Sequence, residues 1–235
     1  MKLLVFSCFF LFLYSSASYA QHLTDWQIEN LKGKVKQMTS IIQVIEGDTY
    51  KKEVFYFDER GFLTRKEIFV GIKERGEEEV SRYNKIGELQ NFEYQEQKRQ
   101  GMSLQANGSK AADFVQQWQD EQHCQLHYTY HDAPEKKGVM QYVFSNKAKL
   151  EEMYFILRDM EVNEVLFESK SIFQYDSIGQ VNKMEQHIEQ PYGDTLLHRF
   201  ITTNVDAQEN VVQRLEYDEN STLFARILYS YVYYE

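Results

Sequence analysis

Three histidines, a cysteine and an aspartate crowd into ten residues, as His123, Cys124, His127, His131 and Asp132. Imidazole nitrogens, a thiolate and a carboxylate are ordinary zinc ligands, and on a helix three histidines four apart would share a face and could approach one ion. The neighbouring residues argue for another conformation. Leu126-His127-Tyr128-Thr129-Tyr130 alternates as a strand does. Four residues there span about 13 Å, whereas zinc lies about 2 Å from each ligand nitrogen. One strand cannot bring the histidines to a single ion, so no metal site is assigned and a solvated histidine face is expected.

Carboxylates are plentiful, including Glu77-Glu78-Glu79 and Glu151-Glu152. Glycoside hydrolysis needs two of them about 5 to 10 Å apart across a cleft, a relation that runs of glutamate do not establish. A solvated acidic face explains them. The chain has no Gly-x-Ser-x-Gly elbow, phosphate loop or zinc-protease helix. No residue is therefore assigned as catalytic, cofactor-binding or metal-binding, and a non-enzymatic protein without a cofactor is expected; an envelope hydrolase with an unrecognised carboxylate pair is the alternative.

The 17 tyrosines and 16 phenylalanines suit a pleated, half-buried surface, and those left outside would offer a flat body with a polar tip to protein or sugar rings. Asp176-Ser177-Ile178 and Asp194-Thr195-Leu196 resemble the O-glycosylation acceptor pattern of some gram-negative exported proteins. Both fall at expected turns, where Asp followed by a hydroxyl residue is also ordinary turn chemistry.

The elements that must position these residues are announced by a repeated phrase: aromatic, Asp or Asn, two free positions, Gly, one free position, Leu or Val. It reads Phe57-Asp58-Glu59-Arg60-Gly61-Phe62-Leu63, Tyr83-Asn84-Lys85-Ile86-Gly87-Glu88-Leu89 and Tyr175-Asp176-Ser177-Ile178-Gly179-Gln180-Val181. Degenerate copies run from Phe144 to Leu150, Val205 to Val211 and Tyr217 to Leu223, with Ala148, Glu209 and Ser221 in the glycine position. Successive copies are 26, 61, 31, 30 and 12 residues apart, and the 61 is about two steps, so a copy is lost or replaced between Asn91 and Val139. Each copy is expected to be a hairpin corner, with Asp opening a type I turn and Gly closing it at positive φ. The aromatic and the aliphatic then pair across the strands. Where glycine is missing, a different turn is expected.

This phrase resembles the Tyr-Asp repeats of the Rhs family. The opening Leu31-Lys32-Gly33-Lys34-Val35-Lys36 and the stretch from Asn210 to Asp218 are similar to small exported gram-negative proteins that carry loose repeats of this kind. Large members of the Rhs family wind such hairpins into a β shell, which this chain has too few copies to close; the resemblance carries no activity onto particular residues.

Residues 1–20 read as a signal peptide: Lys2, an apolar run from Leu3 to Tyr14, and small residues ending at Ala20, with Ala17 the alternative cleavage point. The run is shorter than the about 20 apolar residues of a membrane helix. Residues 21–235 form one repeat domain, which keeps only Cys124, so an internal disulfide is impossible. It carries 25 basic side chains against 36 acidic, a net charge of −11, which argues against nucleic acid as a partner. A periplasmic, secreted or cell-surface site in a gram-negative bacterium follows, with a protein or glycan as the expected partner and no integral membrane span.

A short helix is expected from Asp25 to Leu31, stopped near Gly33. Strands follow over Val35 to Ile45, Tyr50 to Phe57, Thr64 to Val70, Glu79 to Tyr83 and Leu89 to Gln95. From Glu96 to Gln122 the β signal fades into a polar loop with a two-residue turn at Asn107-Gly108. There Ala111, Phe114, Val115 and Trp118 match a helix template, which places a short helix near 111–122. The β pattern resumes at Leu126. In Glu164 to Tyr175, Val165, Phe167, Ser169, Ser171, Phe173 and Tyr175 share one uncharged face; Ile227, Tyr229, Tyr231 and Tyr233 do so in the last strand. Pro191 to Asp194 marks a turn before Leu196 to Thr203.

The expected fold is all-β: consecutive antiparallel hairpins in one long twisted, curled sheet, with a sandwich or open barrel as the alternative. The expected role is a binding or scaffolding module of the cell envelope. The rival is an outer-membrane barrel, against which stand the charges on both faces of an early strand, Arg65 and Glu67 on one and Lys66 on the other.

Overall fold

The computed structural model describes residues 23–45, 47–73, 80, 82–95, 98–191 and 193–235, with the backbone alone at 92–95. The signal peptide expected over 1–20 lies outside them. Among the described residues there is one short helix, α1 (Asp25–Ile28), and fourteen strands. The strands are β1 (Val35–Val44), β2 (Thr49–Phe57), β3 (Leu63–Ile72), β4 (Tyr83–Gln95), β5 (Lys98–Gln105), β6 (Lys110–Trp118), β7 (His123–Tyr130), β8 (Lys136–Phe144), β9 (Leu150–Asp159), β10 (Glu164–Tyr175), β11 (Val181–Gln190), β12 (Asp194–Val205), β13 (Val211–Tyr217) and β14 (Leu223–Tyr233). Each is antiparallel to the next, and β14 pairs with β1, so the sheet closes into a barrel. All-β hairpins are as expected. The long open sheet is corrected to a closed one, nearest to the open-barrel alternative, because joining the first strand to the last satisfies two rows of backbone groups that an open sheet leaves unpaired.

The repeated phrase is a hairpin corner in five of its six copies. Its first and last residues are Cα partners in Phe57↔Leu63, Phe144↔Leu150, Tyr175↔Val181, Val205↔Val211 and Tyr217↔Leu223. The corner bonds are the same throughout: Gly61 N donates to Asp58 O at 2.9 Å, Ala148 N to Ser145 O at 3.0 Å, and Glu209 N to Asp206 O at 3.1 Å. Ala148, Glu209 and Ser221 stand at φ 62°, 68° and 63°, beside Gly61 at 90°. The expectation of another turn where glycine is missing is therefore overturned. The same side-chain bonds brace corners with and without glycine: Asp58 Oδ1 accepts from Arg60 N and Phe62 N, both at 3.0 Å, Asp206 Oδ1 from Gln208 N and Asn210 N, both at 2.9 Å, and Asp218 Oδ1 from Thr222 N at 2.7 Å. Such bonds offset the about 1–2 kcal/mol cost of the left-handed region. Gln105 to Ser109 makes the same corner with Gly108 at φ 83°, not the two-residue turn expected there.

Copies 30 or 31 residues apart are separated by two strands and so return to one end of the barrel; the 12-residue step crosses a single strand to the other end. The Tyr83–Leu89 copy is the exception. It lies within β4, where Phe69 pairs with Lys85 and Ile68 with Gly87, leaving Ile86 unpaired as a bulge. The expected break between Tyr83 and Leu89 is absent, and β4 runs unbroken for 13 residues.

The helix expected near 111–122 is also corrected. Residues 110–118 form β6, whose Ala112, Phe114, Gln116 and Trp118 alternate on the buried side. The apolar residues match both a helix and a strand template, and pairing with β5 and β7 decides in favour of the strand. Lys98–Gln105, in the stretch where the β signal fades, is strand β5 as well.

Register fixes the two faces. Met38, Ser40 and Ile42 of β1 stand opposite Tyr231, Tyr229 and Ile227 of β14, and Met38 opposite Phe55 of β2. This side is internal because it holds α1. Asp25 pairs with Arg99 of β5 at 2.7 Å, Trp26 Nε1 donates to Val35 O at 2.8 Å, Asn30 Nδ2 donates to Gly179 O at 3.0 Å, and Leu23 and Ile28 pack on Trp118, Cys124 and Phe144. A four-residue helix that touches strands all around the ring sits across one mouth. A capping box of Thr24 and Gln27 starts it, and Gly33 at φ 73° turns the chain into β1. Phe167, Ser169, Ser171, Phe173 and Tyr175 point inward as expected. Val165 does not: a register shift sets it opposite Arg158.

Candidate functional site

An eight-stranded barrel is about filled by its own side chains, while sixteen or more strands leave a channel. Fourteen strands lie between these two cases. Many of the inward residues are small, among them Gly101, Ala112, Gly138, Ser169 and Ser171. Between them stand rings: Phe155 and Phe167 lie 5.9 Å apart, Phe114 and Tyr128 6.1 Å. Around α1, buried Val35, Trp118, Cys124 and Phe144 close the plugged end, while Ala112 and Ala225 are buried toward the other end. Farther along the lumen Phe155, Phe167, Met184 and Leu196 stay only half-buried, because open space adjoins them.

Charged groups from α1 and several strands enter this apolar interior. Glu53 of β2 meets Lys51 at 2.8 Å and Lys66 of β3 at 2.9 Å. Burial works against its charge, but the two ammonium groups win and hold its pKa below the usual carboxylate range. Arg99 binds Asp25 and Gln116. His198 Nδ1 and Glu216 Oε1 lie 2.6 Å apart. Glu29, just past α1, is exposed by surface area and borders the space lined by Gln180, Arg214 and Tyr229.

Arg214 of β13 lies between the rings of Phe200 and Tyr229, at 5.6 and 5.9 Å. Its Nη2 donates to Gln180 Oε1 at 3.2 Å, and its Nε is buried without a partner. Glu29, Gln180, Asn210, Arg214 and Tyr229 line a cavity of about 60 Å³. The arrangement can hold a small polar group at the floor and an apolar body along the lumen.

The residues singled out by chemistry lie elsewhere. His123 and His127 point outward and Cys124 inward; His123 meets Asp120 at 2.8 Å and His131 meets Asp113 at 2.8 Å, so two histidines take separate carboxylates. Among the described residues no three metal-binding side chains converge. Glu152 is bound outside to Lys170 at 2.9 Å, and Glu77 to Glu79 lie outside the described residues. Ser177 is exposed on its corner, while Thr195 is exposed at the start of β12 instead of in a turn. Outward tyrosines are engaged: Tyr56 donates to Glu67 and Tyr154 to Glu152, both at 2.8 Å. Reading the sequence missed Glu29, Lys66 and Arg214 as a set. Their one local signal is a charge on the apolar side of an alternating strand, as Lys66 beside Ile68 and Val70.

The outer wall is charged at mid-strand. Glu67 and Lys85 pair at 3.0 Å across β3 and β4, and Lys85 also contacts Glu88. Lys52 lies over Phe69 and Tyr83, and Arg226 stands opposite Leu215 and Gln43.

No family model matches the sequence, and no curated protein matches it. Solved structures do. A porin-like protein from Bacteroides uniformis is 11% identical with a TM-score of 0.53, the match covering 86% of this chain and 99% of that one. A porin-like protein from Bacteroides vulgatus is 13% identical with a TM-score of 0.48, covering 84% and 98%. The first likeness establishes a shared closed-barrel fold.

Proposed function

We propose that this chain is an exported, water-borne binding barrel of the bacterial envelope, non-enzymatic, whose lumen takes up an apolar small molecule. One observation carries the reading: half-buried Phe155, Phe167 and Met184 face space inside the ring, while Lys52, Lys85 and Lys170 stand on the outer wall among its apolar residues. A lipid-facing wall has the opposite need. A basic side chain at the bilayer midplane costs about 2–4 kcal/mol, so the mid-strand Lys52 and Lys170 would together cost about 4–8 kcal/mol, a large share of a typical domain's stability.

The second reading is a barrel seated in the outer membrane. Its support is closure itself and the likeness to a porin-like protein. Fractionation separates the two. Release into detergent-free buffer is expected; retention in outer membranes after carbonate and urea washing would establish the membrane barrel instead. The lumen is tested with N-phenyl-1-naphthylamine, whose fluorescence is expected to rise on binding. Met184→Trp, which narrows the space beside this half-buried inward residue, should abolish that rise, and an unchanged rise would rule out the lumen as the site.

A further inference from the structure

Arg214 brings a formal charge into an aromatic interior and leaves one of its donors unused. A buried donor without an acceptor costs about 1–3 kcal/mol, and native structures satisfy such groups with protein, water or ligand. Nε lies on the same guanidinium edge as Nη2, which has a second hydrogen beyond its bond to Gln180. That edge matches the two oxygens of a carboxylate. The adjoining cavity, about 60 Å³, has room for a carboxylate. Glu29 lines its other side and makes no ion pair with Arg214 among the described residues. Phe200 and Tyr229 flank the guanidinium and offer apolar surface to whatever is attached to the carboxylate.

We infer that Arg214 anchors the carboxylate of a single-chain amphipathic ligand, such as a long-chain fatty acid, whose tail lies along the aromatic lumen. The inference rests on the lumen reading above and adds to it the chemistry of the head group.

The purified chain, stripped of co-purifying lipid, is titrated with 11-(dansylamino)undecanoic acid and with its methyl ester. The acid is expected to bind about tenfold or more tighter than the ester, the worth of a charge-assisted hydrogen bond. Arg214→Gln should erase that preference, so that acid and ester bind alike. Arg214→Lys, which keeps the charge and loses the fork, should retain part of it. Equal binding of acid and ester by the wild-type chain overturns the anchor and leaves the lumen reading standing, and so does an undiminished preference in a folded Arg214→Gln. If the wild-type chain binds neither probe, the lumen reading fails and the anchor with it. The wild-type comparison decides even where a variant does not fold.

Discussion

The side chain of Asn210 grips the backbone of Lys32 from both sides, accepting from Lys32 N at 2.7 Å and donating to Lys32 O at 2.9 Å. Asn210 also donates to the Tyr233 hydroxyl at 2.7 Å, and only 1% of its surface is exposed. One amide thus ties the segment after α1 to the β12–β13 corner and to the last strand. Asn210→Ala removes these bonds and leaves buried backbone groups unpaired, so a loss of about 2–4 kcal/mol is expected. Chemical denaturation measures it, and hydrogen exchange at residues 30 to 34 should quicken first.

Ala148, Glu209 and Ser221 occupy a conformation that costs a side chain about 1–2 kcal/mol and costs glycine little. Each replacement by glycine should stabilise the barrel by up to about 1 kcal/mol, the greater flexibility of unfolded glycine taking back part of the gain. The three sites lie on separate corners, so the triple variant should show near-additive midpoint shifts. Any loss of stability would mean that the side-chain contacts outweigh the backbone cost.

Cys124 is 1% exposed against Trp118 and Phe144, and burial pushes its thiol up to about 11. The thiolate is the reactive form. Labelling by a disulfide reagent at pH 8 should therefore be negligible in the folded protein and complete after denaturation. Fast labelling without denaturant would show that the plugged end opens.

Glu53 gives the fold an acid limit. Its native pKa lies below the ordinary 4.5, so the stability it contributes is fully present above that value and is lost as pH falls through the lower native one. Unfolding midpoints of the wild-type chain and Glu53→Gln should differ most near neutrality and converge as pH drops below about 4.5. A difference independent of pH would assign the loss to packing.

What the sequence announces is local. The corners are legible because Asp, Gly and the flanking pair act within seven residues, and the inward tyrosines of β14 because alternation is a two-residue property. Closure is not, since the bond between β1 and β14 joins Met38 to Tyr231 with almost the whole chain between them. The floor of the lumen is hidden for the same reason: Glu29, Lys66 and Arg214 come from three distant elements and face one another only once the ring is shut. Tyr83–Leu89 shows the converse, a local signal overruled when neighbouring strands absorbed Ile86 as a bulge.

The β1–β14 seam gives the last eleven-residue strand a weight out of proportion to its length. Until Leu223–Tyr233 arrives, β1 and β13 are two raw edges, the plug lacks the Tyr233 contact, and the aromatic lining is open to whatever strand comes by. A chain cut short at Tyr217 should therefore behave as an adhesive sheet, prone to joining its own copies, and not as a slightly weakened barrel.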